Sequence, residues 1–269
     1  MGDNDGASCC NEPQHAFIYL YILYVLIVVI TWGTMLAKPM RLLTTAVHEI
    51  SHALACWITG GQVEAIEVYT NEGGVTRFRG GCRCLINCAG YLGEAFWGMM
   101  FVLLSGGRLT STFAASGLIV ALLISLCYSP NRVLVALNIF YAIVTLAFIL
   151  VEWYVITPIL MYVTLLYGVF FGTYAIVDIF DHLVIRSNPQ SDAYAAYEES
   201  GGCCYPRCVG VTWLMIAVLF QMIGIWLALI LMSDECGDDG WFECIFHSKF
   251  DLDLLEFDWW PDDWDLFDQ

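Results

Sequence analysis

The sequence predicts an all-α polytopic membrane protein with six or seven transmembrane helices, a small β-hairpin and a disordered acidic tail. Three observations support this fold class. Of the 269 residues, 59% are hydrophobic and only 14% are charged, whereas a soluble domain carries about 25% charged residues. The apolar residues form runs close to the roughly 20 residues that a helix needs to cross the hydrocarbon core. The acidity lies elsewhere, since residues 234–269 contribute thirteen Asp and Glu against one Lys.

Seven segments are candidates for the membrane helices. Five meet or approach the length of a span: 17–36, 85–104, 133–150, 153–177 and 211–232. Residues 113–128 form a shorter candidate, and residues 41–59 are apolar apart from two histidines and a few charged residues. The N-terminus lacks the basic region of a cleavable signal peptide, so its apolar run is predicted to be a retained span.

A different pattern follows the segment 41–59. Apolar residues stand on both sides of the turn-forming sequence Asn71-Glu72-Gly73-Gly74: Val63, Ile66, Val68 and Tyr69 before it, and Val75 and Phe78 after it. This pattern predicts a β-hairpin between the second and third helices.

The polar segments divide the chain into five regions. We predict an N-terminal polar segment (1–16), a membrane-embedded core (17–185), a Cys-containing polar loop (186–210), a final span (211–232) and an acidic aromatic tail (233–269). The tail has neither a helical nor a strand period and is expected to be disordered. The protein is expected to be multi-pass, with an endomembrane location favoured. The loop charges give conflicting signals under the positive-inside rule, so its orientation stays open.

Composition also limits the partners. The chain has only ten Lys and Arg, which are scattered, so no nucleic-acid surface is expected. The cysteines that flank apolar runs fit palmitoylation, disulfides or a metal: Cys9-Cys10, Cys82-Arg83-Cys84, and Cys203-Cys204 with Cys208.

The most informative motif is His48-Glu49-Ile50-Ser51-His52. Residues four apart lie on one face of a helix, so His48 and His52 can offer ring nitrogens to a single zinc ion. Glu49 is the candidate catalytic residue, a general base that takes a proton from zinc-activated water. The expected cofactor is therefore Zn²⁺.

The apolar surroundings of this motif favour the metal role. A charged residue at mid-bilayer costs on the order of 2.5 to 3.5 kcal/mol, so these side chains need a polar or metal partner. His48 follows Lys38 by ten residues, or about 15 Å of helix, which reaches the middle of a membrane some 30 Å thick. A site at that depth implies a water-filled cavity.

Zinc in a catalytic site takes three protein ligands and keeps a fourth position open. The candidate acids are Asp178, Asp181, Glu94 and Glu152. Asp178 is the first acid to interrupt a long apolar run, and we predict it as the third ligand. Asp181 lies one turn later and is a candidate to orient a ligand. Glu94 lies in a glycine-rich segment, where a role in helix packing is equally well supported.

Several motifs in order resemble the site-2-protease-like family of intramembrane zinc metallopeptidases, in its B-type, peptidase M50B-like branch. They lie between Thr44 and Tyr197: His48 to His52 with Ala53-Leu54 and Thr59-Gly60-Gly61, Gly73-Gly74-Val75-Thr76, Ala89-Gly90-Tyr91-Leu92-Gly93, Asp178-Ile179 and Ser191-Asp192-Ala193. The resemblance implies zinc held by the two His and a later Asp, Glu49 as general base, and an edge strand that presents substrate backbone. Better-studied members carry Leu-Asp-Gly for the third ligand after an upstream Asn and Pro, whereas this chain has Val177-Asp178-Ile179.

The expected function is a zinc metalloprotease that hydrolyses peptide bonds of membrane-embedded or membrane-adjacent proteins, as in regulated intramembrane proteolysis. The alternative is a non-catalytic membrane scaffold or sorting protein that retains the protease fold. A metal transporter is less well supported, because a conduction path needs several polar sites along its length.

The tail carries two further patterns. Leu254-Leu255-Glu256-Phe257-Asp258 fits a clathrin box, and Asp265-Leu266-Phe267 fits short motifs that bind adaptor appendages. They predict clathrin or adaptor partners for a cytosolic tail. A solvated acidic tail with incidental aromatic residues is the alternative.

Overall fold

The computed structural model describes residues 12–155, 158–186, 191–199, 201–202 and 205–232. The predicted tail motifs lie outside the described residues, at Leu254, Leu255, Phe257, Asp265 and Phe267. The cysteine pairs at 9–10 and 203–204 also lie outside them. Clathrin and adaptor binding therefore stay predictions from the sequence.

The described part of the chain is mostly helical. In chain order its α-helices are α1 (Glu12–Thr31), α2 (Lys38–Ile58), α3 (Arg83–Leu104), α4 (Arg108–Leu126), α5 (Arg132–Leu150), α6 (Leu160–Asp178), α7 (Asp192–Glu199) and α8 (Pro206–Leu231). Two π-helical segments, Val151–Val155 and Ile179–Ile185, follow α5 and α6. Two strands, β1 (Gln62–Val68) and β2 (Gly74–Arg79), lie between α2 and α3.

Five helical segments of the described residues are long and apolar enough to cross a membrane: Pro13–Thr31, Arg108–Leu126, Arg132–Val155, Leu160–Ile185 and Pro206–Leu231. Its composition and helix lengths are therefore those of an integral membrane protein. The helices α2 and α3 are also long, with 21 and 22 residues, but they bury polar side chains such as Glu49 and Glu94. A total of six or seven spans stays a prediction.

Two boundaries differ from those expected. The span predicted at 153–177 is divided, because α6 begins only at Leu160. Pro158 precedes this start, and the proline ring disfavours helical backbone at the residue before it. The segment predicted as a polar loop at 186–210 contains α7, and α8 already begins at Pro206, since proline suits the first turn of a helix.

The predicted hairpin is confirmed. The strands β1 and β2 pair antiparallel, with Ile66 opposite Thr76, and Glu72 in the turn has a left-handed φ of 69°. On the far side of β1, the Ile66 amide donates to the Tyr128 carbonyl at 2.9 Å. Among the described residues, the other edge of β2 has no strand partner, so it is the edge available to an extended peptide.

Short connections hold this hairpin against α2. The helix ends at Ile58, and Gly60 just beyond it has a φ of +78°, a left-handed conformation that favours glycine after a helix. The Gly61 amide then donates to the Cys56 carbonyl at 2.8 Å. The hairpin turn is tied back to the start of α2, because the Arg41 guanidinium donates to both carboxylate oxygens of Glu72 at 2.8 and 2.9 Å.

The helix α3 lies at the centre of the bundle, against α2, α6 and α8. Its backbone approaches α6 closely, since a Cβ at Gly98 would lie 2.6 Å from the Gly172 nitrogen. Small residues allow such contacts between membrane helices. The same helix carries Gly90 and Glu94 beneath the histidine motif of α2.

Candidate metal centre

Two predicted ligands and one further acid form a compact group. His48 and His52 lie one turn apart on α2, and Asp192 is the first residue of α7. The two Nε2 atoms are 3.1 Å apart, and Oδ2 of Asp192 lies 3.1 Å from Nε2 of His48 and 3.3 Å from Nε2 of His52. Ligand atoms at about 2.0 to 2.1 Å from a tetrahedral zinc are about 3.3 Å apart. The donor set therefore fits zinc in both chemistry and spacing.

The other ring nitrogens of the histidines also have acceptors. Nδ1 of His52 lies 2.7 Å from the Ile86 carbonyl oxygen, and Nδ1 of His48 lies 3.4 Å from Oε2 of Glu94. A carbonyl or carboxylate can only accept from these nitrogens, so each Nδ1 carries the proton. Each Nε2 is then free to bind a metal, the usual arrangement for metal-binding histidines.

Gly90 of α3 leaves space for an ion. A Cβ at this position would collide with Nε2 of both His48 and His52, and it would lie 2.6 Å from Cε1 of His48. A methyl group would therefore enter the gap between the two ligand atoms. Glycine keeps that gap open.

Glu49 lies beside this group but outside it, and the hairpin holds it in place. The Thr76 hydroxyl lies 2.7 Å from Oε2 of Glu49 and donates to it. A Cβ at Gly74 would collide with Oε1 of the same carboxylate. The strand β2 therefore holds one carboxylate oxygen through Thr76, and the missing side chain of Gly74 makes space for the carboxylate itself.

The group faces a polar cavity of about 840 Å³, a volume typical of a ligand pocket. Its walls combine α2, the hairpin turn, α3, the end of α6 and the start of α7. They include His48, Glu49, Glu72, Tyr91, Asp178 and Asp192. This cavity gives the buried motif the access to water that hydrolysis requires.

The third position of the group is held by Asp192 and not by the predicted Asp178. Asp178 does line the cavity, but its Oδ1 lies 2.7 Å from Nδ1 of His182, one turn further along. Asp181 also lines the cavity, and it pairs with Arg186 at 3.0 Å. Both acids therefore have side-chain partners outside the metal group.

The two remaining candidate acids have separate roles. Glu94 is 1% exposed and faces His48, so it is placed to orient that ligand. Glu152 is buried away from the cavity, where Oε1 lies 3.3 Å from Nε of Arg108 and Oε2 accepts from the Leu160 amide at 3.0 Å. This carboxylate therefore joins α4 to the start of α6.

Sequence reasoning quoted Asp192 within a motif but did not select it as a ligand. Burial alone would raise the pKa of Asp192, but the His52 and His48 rings hold that pKa well below its ordinary value. The neighbouring Ala193 is buried in a cluster with Tyr91 and Trp213, and this packing holds α7 in place. A signal was available in the sequence, because Asn188-Pro189 precede Asp192 as an Asn and a Pro precede the third ligand in better-studied members of the family.

Comparison with known proteins identifies the family of the chain. A family model described as Peptidase M50B-like matches residues 21–227, which is well over half of the chain. No curated protein and no solved structure matches the chain. The chain therefore belongs to the peptidase M50B-like family, the site-2-protease-like family that its motifs resemble.

Proposed function

We propose that this protein is an intramembrane zinc metalloendopeptidase that hydrolyses peptide bonds of membrane-embedded or membrane-adjacent proteins. One observation carries the proposal: His48, His52 and Asp192 bring three ligand atoms within 3.3 Å of one another, with Glu49 in the wall of the same cavity. Family membership and five apolar helices support a peptidase in a membrane.

Zinc would be held by Nε2 of His48, Nε2 of His52 and a carboxylate oxygen of Asp192. When bound, it supplies a Lewis acid and lowers the pKa of water to about 7. Glu94 and the Ile86 carbonyl fix the two rings in the tautomer that leaves each Nε2 free. The chain thus supplies three ligands and keeps a fourth position open, as catalytic zinc sites do.

Glu49 would act as the general base. Its Oε2 already accepts from Thr76, so Oε1, in the space beside Gly74, is the atom available to water. The carboxylate takes a proton as the water oxygen attacks the scissile carbonyl carbon. It returns that proton to the nitrogen that leaves when the carbon–nitrogen bond breaks.

The free edge of β2 would bind the substrate. This strand begins at Gly74, directly beside Glu49, and an extended peptide can pair with such an edge through its backbone. A helical substrate would need to unwind locally to do so. The polar cavity can solvate the unwound backbone, which lipid cannot.

The test uses the purified full chain in phosphatidylcholine vesicles with a set of fluorogenic single-span reporter peptides. Glu49→Gln should retain one zinc per chain and lose cleavage by about 10²- to 10⁴-fold, the usual contribution of a positioned base. His48→Ala should lose both zinc and cleavage. Wild-type cleavage by Glu49→Gln would contradict the mechanism.

The scaffold alternative makes the opposite prediction for the metal. A wild-type chain that is purified without chelators and binds no zinc, with no cleavage of any reporter, would favour a scaffold or sorting role.

Clathrin or adaptor binding through the tail is a separate proposal, tested by pull-down with residues 233–269 and with a variant in which Leu254, Leu255 and Phe257 are Ala.

A further inference from the structure

The cavity contains a second pair of titratable side chains that the ligands and the general base do not use. Asp178 ends α6 and His182 lies in the π-helical segment Ile179–Ile185 that follows. Nδ1 of His182 is 2.7 Å from Oδ1 of Asp178, and both residues line the cavity. The His182 side chain is 40% exposed and the Asp178 side chain is 17% exposed, so the ring reaches solvent while its carboxylate partner is largely covered.

This pair lies close to the metal group. Tyr91 interacts with Asp178, and the Tyr91 ring meets the His48 ring edge-on with centroids 4.6 Å apart. One tyrosine therefore separates the pair from a ligand. The π-helical segment widens the end of the span where the pair lies, and such segments are frequent at functional sites.

The hydrogen bond determines what the His182 ring can offer. The Asp178 carboxylate accepts a hydrogen bond from Nδ1 of His182, so Nε2 of His182 is the ring nitrogen left to face the cavity. The negative charge of Asp178, 2.7 Å from the ring, favours the form of His182 that is protonated on both nitrogens. That form presents an Nε2–H donor to the cavity.

We infer that His182, oriented by Asp178, donates an Nε2 hydrogen bond to the scissile carbonyl oxygen as negative charge develops on it. This inference rests on the proposed peptidase function. When water forms its bond to the carbonyl carbon, the π electron pair moves onto that oxygen, and Glu49 takes the water proton. His182 stabilises the resulting charge without giving up its own proton. It is thus a catalytic residue, and Asp178 is a positioning residue.

The matched variants come from the same short segment. His182→Ala removes the donor, and His182→Gln keeps an N–H donor of similar reach. Asp178→Ala removes the orienting carboxylate. Phe180→Leu is the control, because Phe180 lines the same cavity and is largely exposed but has no charge and no hydrogen-bond donor in its side chain.

Removing one donor to a developing oxyanion costs about 10²- to 10³-fold in kcat. We therefore expect His182→Ala to lose that factor, with KM and zinc content unchanged. His182→Gln should recover part of the loss, Asp178→Ala should lose at least 10-fold, and Phe180→Leu should match wild type. Wild-type kcat in His182→Ala, or loss of zinc from that variant, would overturn the inference.

A binding measurement decides the question without turnover. A phosphinic peptide replaces the scissile carbonyl with a tetrahedral phosphorus whose two oxygens share one negative charge, so it resembles the transition state. Zinc-loaded His182→Ala should bind it about 100-fold more weakly than wild type, and equal affinity would overturn the inference. Failure of the peptidase proposal would look different: no zinc-dependent cleavage by wild type, or wild-type cleavage by Glu49→Gln.

Discussion

The substitution Gly90→Ala tests the proposed metal centre without replacing any of its ligand residues, because it fills the space beside them. A Cβ there would collide with both ligand nitrogens and lie 2.6 Å from Cε1 of His48. Non-bonded carbon atoms prefer about 3.5 to 4.0 Å, so the rings would have to move by about 1 Å. A zinc–nitrogen bond of about 2.0 to 2.1 Å does not survive such a displacement. We expect the zinc affinity to fall by at least 100-fold.

The assay is zinc competition against a chromogenic chelator, on full-length protein in detergent, with thermal unfolding followed in parallel. Two glycine controls separate the metal from general packing. Gly93→Ala places its Cβ 2.6 Å from Cβ of Ser51, so it should lower stability but retain zinc. Gly117→Ala meets nothing within 4 Å and should be neutral.

Wild-type zinc affinity in Gly90→Ala would contradict the proposed metal centre. So would a loss of zinc from Gly93→Ala as complete as that from Gly90→Ala, because the loss would then reflect helix packing alone. Unchanged affinity would mean that the rings do not converge beside position 90. The assignment of Nε2 as the ligand atom of His48 and His52 would fall with it.

Two further predictions concern the ligand set and the general base. Asp192→Ala should reduce zinc below one equivalent per chain while Asp178→Ala keeps the full equivalent, and metal analysis showing the reverse would restore Asp178 as the third ligand. Thr76→Val removes the hydroxyl that donates to Glu49 at 2.7 Å, and a hydrogen bond to a charged group contributes about 1.5 to 3 kcal/mol. We expect kcat to fall by about 10-fold or more with zinc retained. Thr76→Ser should restore it, and equal kcat in Val and Ser variants would contradict the role of the hydroxyl.

Features that depend on nearby residues could be predicted from the sequence. His48 and His52 converge because helical geometry alone brings residues four apart together. The hairpin forms where Asn71-Glu72-Gly73-Gly74 lies between β-forming residues, and this local pattern determined its turn. Glu49 lies next to His48 on the same helix, and its role as general base stays a prediction.

The approach of Asp192 to the histidines depends on packing between distant parts of the chain. Asp178 interrupts a long apolar run, whereas Asp192 lies in the predicted polar loop, so hydropathy favoured Asp178. Burial of Ala193 fixes α7 against the bundle and brings Asp192 to the histidines. The predicted division at residue 185 places Asp192 outside the predicted core.

The two acids have different environments in one cavity. Oδ2 of Asp192 lies 3.1 and 3.3 Å from Nε2 of two histidines, the three residues that we propose to hold zinc. Asp178 meets a single imidazole at 2.7 Å, a partner with one further nitrogen free for hydrogen bonding. If Asp178 bound zinc in place of Asp192, His182 would lose the carboxylate that orients it. The proposed division of roles therefore gives zinc binding to Asp192 at the start of α7 and the orientation of His182 to Asp178 at the end of α6.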